Sequence, residues 1–244
     1  MSVICVIPTR YGSTRFEGKP LIDLCGKTMI QRVYDQVKKA ALVDEVIIAT
    51  DDDRIKTTAE NFGARVIMTS SRHSCGTDRI TEAIRHIEGQ IILNVQGDEP
   101  LINPKAVDAL VKPVLEDPSI QMATLISQIK DPEDAVNPNV VKVVKDLNNY
   151  ALYFSRASIP YSRNGRSPVL YKQAGLYIFR RNFLIKFSKL SPTLYENIEK
   201  LEQLRALEHG YKIKLIETDY ESISVDTPDD MVKVQNILKS TITD

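Results

Sequence analysis

Residues 3–20 read VICVIPTRYGSTRFEGKP. Val3–Pro8 is a continuous apolar run of the length of a buried strand. The loop that leaves it carries Arg10, Arg15 and Lys19, with Ser13 and Thr14 between them and Glu17 as its acid. A buried strand that opens into a basic, glycine-containing loop is the start of an α/β unit with a site at the strand's end.

The chain then alternates. Ile30, Val33, Tyr34 and Val37 recur at helical spacing within 28–41. EVIIAT (45–50) reads as a second strand, and DDDRIKTTAENFG (51–63) as a helix that ends at Gly63. RVIMT (65–69) is a third strand, Thr77–Gly89 a helical face, and QIILNV (90–95) a fourth strand. A helix near 104–116 and a strand at 122–127 follow. Apolar strands separated by amphipathic helices predict a mainly parallel sheet with helices on both faces. Ligands of such sheets bind at the carboxyl ends of the strands, which directs attention to the loops 9–27, 51–53, 70–76 and 96–103.

Beyond 128 the pattern is mixed. NVVKVVKD, YALYFS and AGLYIF read as strands of a smaller, more antiparallel half. Tyr195–Gly210 reads as one helix, KIKLIET as a strand and Pro228–Lys239 as a closing helix. With no repeat and no Gly/Ser linker, the second half is expected to lie against the first. We divide the single domain into a first, mainly parallel half (1–128), a mixed subregion (129–225) and a closing helix (226–244).

The 244 residues carry 32 basic and 32 acidic side chains, 43% apolar and 26% charged residues. That composition is ordinary for a globular chain, which at this length needs no disulfide or metal to fold. Zero net charge argues against general nucleic-acid or membrane-surface binding, although it leaves room for a local basic site. No apolar run approaches a membrane span, and the apolar N-terminal stretch is too short and lacks the basic flank of a signal peptide. Cys5, Cys25 and Cys75 form no CxxC, and no HxxxH pair occurs. A reduced, cytoplasmic enzyme or binding protein is expected. His73, His86 and His209 read as surface residues, and Cys5 and Cys25 as core thiols.

Five segments can carry chemistry. The first is the loop just described: its arginines offer forked donors and its lysine a point charge, which suits a polyanion such as a triphosphate. It is not a Walker A loop, and a solvated basic loop is the alternative. The second is NVQGDEP (94–100), where Asp98 and Glu99 leave the fourth strand after Gly97. A carboxylate there suits Mg²⁺, which takes one or two protein carboxylates plus substrate phosphates; a polar turn is the alternative. In SVDTPDD (224–230), Thr227 as N-cap, Pro228 as first helical residue and Asp229 and Asp230 explain the helix start. Asp226 is then spare for a second metal contact; an exposed turn residue, the more common case for an isolated Asp, is the alternative. SCGTDR (74–79) opens a helix whose first N–H groups could meet a base or phosphate, or simply be capped. The last is the set Arg156, Tyr177, Glu202, Gln203 and Arg205; there Glu202 and Arg205 at i,i+3 read most simply as a surface ion pair, and Arg156 could meet a substrate carboxylate.

Taken in order, IPTRYGSTRFEGKPL, IATDD, GTDR, NVQGDEP, VKVV, YALYFSRASIP, LEQLRALE and VDTP run from residue 7 to 228. Together they resemble the 3-deoxy-manno-octulosonate (Kdo) cytidylyltransferase family. That resemblance implies a Rossmann-like nucleotide-diphosphosugar transferase fold. The implied reaction is CTP plus Kdo giving CMP-Kdo and pyrophosphate, with Mg²⁺, for lipopolysaccharide synthesis. By the same resemblance Arg10, Ser13, Arg15 and Lys19 hold the triphosphate, with Arg15 and Lys19 stabilising the leaving pyrophosphate. Pro8, Thr9, Ser74, Gly76 and Thr77 border the nucleoside, and Asp98 and Asp226 are the metal ligands. Gln96, Arg156, Gln173, Tyr177, Glu202 and Gln203 form the sugar site, with Arg156 on the sugar's carboxylate. Members are typically homodimers; neither nucleic acid nor membrane insertion is implied. The sequence departs from the pattern at Gln173 (commonly histidine), Cys75 (serine) and Glu17 (proline or similar). A neutral amide at 173 can bond a sugar hydroxyl but cannot become cationic. A related acidic sugar, a Kdo analogue or a sialic acid, is the alternative substrate.

Overall fold

A computed structural model describes residues 1–12, 16–73, 75–163 and 168–242. Ser13, Arg15 and Ser74 therefore lie outside the described residues. The strands are β1 (Val3–Pro8), β2 (Glu45–Thr50), β3 (Arg65–Met68), β4 (Ile91–Asn94), β5 (Met122–Gln128), β6 (Lys142–Lys145), β7 (Ala151–Ser155), β8 (Tyr171–Arg180) and β9 (Lys214–Glu217). The helices are α1 (Met29–Val37), α2 (Asp53–Asn61), α3 (Gly76–Ala83), α4 (Pro104–Glu116), α5 (Pro132–Val136), α6 (Arg181–Phe187), α7 (Leu194–Glu199), α8 (Gln203–Glu208) and α9 (Pro228–Ile242).

The strands form one sheet of order β3-β2-β1-β4-β8-β5-β9, with β6 pairing β7 and β8 at the side. β1 pairs parallel with β2 and β4, β2 with β3, and β5 with β9. β8 runs antiparallel to both β4 and β5, so it alone reverses direction along the main path. The fold is α/β with a mostly parallel mixed sheet. Alternate residues of β1 explain why the sheet needs cover on both sides. Val3, Cys5 and Ile7 join a core with Ile30 and Val33 of α1, Ile55 of α2 and Leu110 of α4. Ile4 and Val6 join a second core with Ile80 of α3, Phe183 of α6 and Leu204 of α8.

From β1 the chain goes through α1 to β2 on one side, and α3 returns it past β1 to β4 on the other. The carboxyl ends of β1 and β4 thus flank a topological switch point, where a crevice opens.

The second half does more than lie against the first, because β8 runs between β4 and β5 of the first half. The helix expected over 195–210 is broken into α7 and α8, with Lys200 between them in a left-handed conformation (φ 54°). Leu201 is buried there and Glu202 stands at the N-cap position of α8 without a side-chain capping bond. The apolar spacing of Leu201 and Leu204 continues through the break, which is why periodicity alone reads one helix. Arg205 accordingly pairs with Glu196 across the break (Nη2–Oε1 2.5 Å), not with Glu202. The helix expected to reach 89 ends earlier, in a 3₁₀ turn over Ile84–His86.

α9 starts as read: Thr227 Oγ1 accepts from the Asp230 N–H, and the Thr227 N–H donates to Asp230 Oδ2. It buries Val234 and Leu238 against Leu24, Met29 and Val225. No helix among the described residues is long and apolar enough to cross a membrane. Cys5 is a core thiol as expected, but Cys25 is partly exposed in a turn with φ 57°. His86 and His209 are exposed, whereas His73 is half-buried against Glu82.

Candidate active site

Two loops build the crevice. After β1, the Thr9 N–H still donates to Ala49 O, so Pro8, Thr9 and Arg10 follow the strand's direction. The loop closes where the Gly18 N–H donates to Tyr11 O at 3.0 Å. Gly18 has φ +71°, a conformation that favours glycine, and a Cβ there would stand a tight 3.1 Å from the Tyr11 hydroxyl. Arg54 stacks on the Tyr11 ring at 3.3 Å and braces the same loop. The chain emerges from Gly18 into a short 3₁₀ turn, Lys19–Leu21, which aims Lys19 back at the crevice.

After β4, Gln96, Gly97 and Asp98 pass close to the first loop: a Cβ on Gly97 would stand 3.5 Å from Pro8 O. The Val225 N–H donates to Asp98 O at 3.0 Å, and Val225 is buried under α9. This backbone bond brings Asp226 beside Asp98. The Lys19 ammonium lies 2.8 Å from Asp98 Oδ2 and 3.2 Å from Asp226 Oδ1.

A cavity of about 300 Å³ is lined by Pro8, Thr9, Arg10, Lys19, Gly76, Gln96, Asp98 and Asp226. The same wall holds His73, Cys75 and Arg79, which the sequence reading had not assigned to the site. Arg79 is buried and fixed by Thr69 Oγ1 (2.6 Å) and Asp51 Oδ2 (2.9 Å). Its signal was available: GTDR sits at the start of α3, one turn from the glycine that faces Pro8. Gly76 packs there because a Cβ would meet Pro8 Cγ at 3.2 Å.

A second cavity of about 460 Å³ adjoins it and is lined by Gln96, Asp98, Gln173, Tyr177, Glu202, Gln203 and Asp226, among others. Gln96, Asp98 and Asp226 line both cavities. In the second, Gln203 Nε2 donates to Gln173 Oε1 at 2.7 Å. Gln173 Nε2 donates to Thr124 Oγ1 at 3.1 Å, and Thr124 donates to Leu176 O. The chain fixes both amides and leaves the Gln203 carbonyl as an acceptor. Burial pushes the Tyr177 hydroxyl up.

Thr77 is placed differently from expectation. It is buried, and its hydroxyl donates to Glu202 Oε2 at 2.7 Å instead of lining the first cavity. The Cys75 thiol also faces Glu202, at 3.4 Å. Burial, then the Glu202 charge, pushes Cys75 up to about 12. Burial raises Glu202 above the usual carboxylate range, partly offset by Thr77 and Cys75.

Arg156 is also not where the sequence reading put it. Its guanidinium donates to Glu199 O (2.7 Å), Pro138 O (2.8 Å) and Lys200 O (3.4 Å), and it is absent from the lining of the second cavity. An arginine surrounded by backbone carbonyls ties segments together, which a motif cannot reveal. The basic residues that line this cavity are Lys172 and Lys200. Glu99 was read only as a companion of Asp98. It is 2% exposed, accepts from the Tyr220 hydroxyl at 3.3 Å, and is pushed up to about 7 by burial and then by Asp98.

Among the described residues no group of three or more His, Cys, Asp or Glu side chains forms a metal cage. Asp98 and Asp226 form instead a two-carboxylate site in which the Lys19 ammonium occupies the position of a cation. Such a donor set fits Mg²⁺, which completes its shell with water and phosphate.

A cytidylyltransferase family model matches residues 4–215. The 3-deoxy-manno-octulosonate cytidylyltransferase of Geotalea uraniireducens is 52% identical, the match spanning 98% of this chain and 100% of that one. Its counterpart from Geobacter sulfurreducens is 50% identical over 98% and 100%. The structure of CMP:2-keto-3-deoxy-manno-octonic acid synthetase complexed with CTP superposes with TM-score 0.95 and 41% identity, covering 99% of this chain and 100% of that one.

Proposed function

The chain belongs to the cytidylyltransferase family, among the 3-deoxy-manno-octulosonate cytidylyltransferases, and from that membership we infer what its two cavities do. It transfers CMP from CTP to the anomeric hydroxyl of Kdo, with release of pyrophosphate. The observation that carries the assignment of substrates to cavities is the shared wall of Gln96, Asp98 and Asp226. CTP takes the first cavity and Kdo the second, so the α-phosphate and the anomeric hydroxyl meet at that wall.

Arg10, Lys19 and Arg79 line the first cavity and receive the triphosphate. Ser13, Arg15 and Ser74, outside the described residues, are proposed to bind the nucleotide as well. Pro8, Thr9 and Gly76 bring uncharged backbone close to the nucleoside. A carbohydrate hydroxyl is a weak nucleophile facing a polyanion, so these side chains act by positioning and by neutralising charge. Asp98 and Asp226 would hold Mg²⁺, whose contribution when bound is to polarise the phosphate and lower the pKa of a bound hydroxyl. Lys19, 2.8 Å from Asp98, also lines the cavity assigned to the triphosphate.

In the second cavity, Gln203 offers its carbonyl to a sugar hydroxyl, with Gln173 as its anchor. The positive charge on this cavity for the sugar's carboxylate comes from Lys200 and from Lys172, whose ammonium is held by Asp134 at 2.6 Å, in place of Arg156. A related acidic sugar is not favoured, given full-length identity near 50% to Kdo enzymes.

We assign 1–128 to nucleotide binding, 129–225 to sugar binding and dimerisation, and 226–244 to closing the site. The product serves lipopolysaccharide synthesis in the cytoplasm, and the working form is a homodimer. The deciding experiment is pyrophosphate release with Mg²⁺ and CTP, with and without Kdo, against ATP, GTP and UTP. Release that requires both CTP and Kdo is expected; release with a sialic acid but not with Kdo overturns the substrate assignment.

A further inference from the structure

Lys142, in the VKVV segment, has no place in the chemistry described so far. Its side chain is fully buried, and its ammonium donates to Asn137 O (2.8 Å), Val140 O (2.7 Å) and Arg156 O (2.5 Å). An ammonium has three N–H donors, and here all of them end on backbone carbonyls. Burying such a charge is costly, and an aliphatic residue would fill the space without that cost. What an aliphatic residue cannot do is gather carbonyls from separate segments.

The gathered segments are the walls of the second cavity. Asn139, Val140 and Val141 line it on one side, and Lys200, Leu201 and Glu202 on another. Lys142 binds the first wall directly through residues 137 and 140. It reaches the second through residue 156, whose N–H donates to Glu199 Oε2 and whose guanidinium donates to Glu199 O and Lys200 O. Arg156 also returns to Pro138 O, which closes the ring of bonds between the two walls. Ser155 adds a bond to Glu199 Oε1 at 2.6 Å.

We propose that Lys142 is a positioning residue for the sugar acid: its ammonium sets the separation of the 137–141 and 199–202 walls without touching substrate. This rests on the assignment of Kdo to the second cavity. The first cavity shares no residue with either wall and meets the second wall where the Cys75 thiol faces Glu202, so the larger effect of removing the ammonium falls on the sugar.

Lys142→Met keeps the stem and removes the charge. With CTP and Kdo as substrates, it should raise the KM for Kdo about tenfold or more while the KM for CTP stays within about twofold. If Lys142→Met does not fold, Lys142→Gln retains donors and should show a smaller rise in the same KM. A lowered melting temperature with both KM values unchanged, or both changed equally, overturns the proposal and leaves Lys142 a structural residue. Wild-type protein that releases no pyrophosphate with CTP and Kdo refutes the site assignment itself, which is a separate result.

Discussion

The ammonium of Lys19 sits between two carboxylates that are 79 and 207 residues away in sequence, 2.8 Å from Asp98 and 3.2 Å from Asp226. A cation in that position holds the two acids together where the two cavities meet. On the proposed reading it also stands where Asp98 and Asp226 would hold a divalent cation, which sets lysine and metal in competition for the same two carboxylates.

Removing that ammonium should therefore act in two directions. In Lys19→Met the site keeps both carboxylates and loses its internal counter-ion, so Mn²⁺ added without nucleotide should bind about tenfold more tightly. Turnover should fall about a hundredfold or more, because a phosphate-directed cation is lost. Electron paramagnetic resonance of free Mn²⁺ reads the first effect and pyrophosphate release the second. Weaker Mn²⁺ binding in the variant would show that Lys19 supports the metal site instead of competing for it.

Asp98→Asn keeps the shape and removes one metal-directed charge. Turnover should drop about a hundredfold or more. The melting temperature should move by no more than about 4 °C, because Asp98 is partly exposed and its backbone bond to Val225 remains. Unchanged turnover would remove Asp98 from the metal role.

Glu202 makes a pH prediction. Burial raises its carboxyl above the ordinary 4.5, so the folded chain holds that proton more tightly than the unfolded chain does. The stability from this preference is complete below about pH 4.5 and is lost as pH rises through the raised value. Glu202→Gln abolishes the titration. Its melting temperature should thus gain on the wild type as pH increases from about 4.5 to 8, as read by differential scanning calorimetry. A difference that stays constant with pH would mean that Glu202 does not titrate over this range.

The Cys75 thiol, partly buried like Cys25 but facing the Glu202 carboxylate, is pushed up to about 12. At pH 8 its thiolate share is about one in ten thousand. Iodoacetamide should accordingly label the partly exposed Cys25 well before Cys75, and peptide mass spectrometry identifies the order. Preferential labelling of Cys75 would contradict the contact with Glu202.

Much of the site is legible in local sequence because loops at strand ends carry function in this kind of sheet. The basic loop after β1, the NVQGDEP turn after β4 and the spare Asp226 before α9 each announce themselves by charge and glycine placement. Arg79 and Glu99 were within reach: they adjoin recognised motifs, but nothing local says that Arg79 is fixed by Asp51 or that Glu99 is buried beneath Tyr220. Arg156 and Lys142 were out of reach, since bonds to distant backbone carbonyls leave no trace in residue spacing. The same holds for the break at Lys200, because the apolar period runs through it.

By itself the sequence determined the alternation of buried strands and amphipathic helices, and hence a sheet covered on both faces. It also determined the loops that would carry charge and, through its ordered motifs, the family. Hydrophobic period and turn residues are local properties, so they can be read locally. Only the tertiary structure decided that β8 runs between β4 and β5, and that Lys19, Asp98 and Asp226 converge on one point. It alone decided that Glu202 faces Thr77 and not Arg205. Those relationships depend on which surfaces exclude water together and on which distant donor meets which acceptor, and no stretch of chain holds that information until the whole of it has folded.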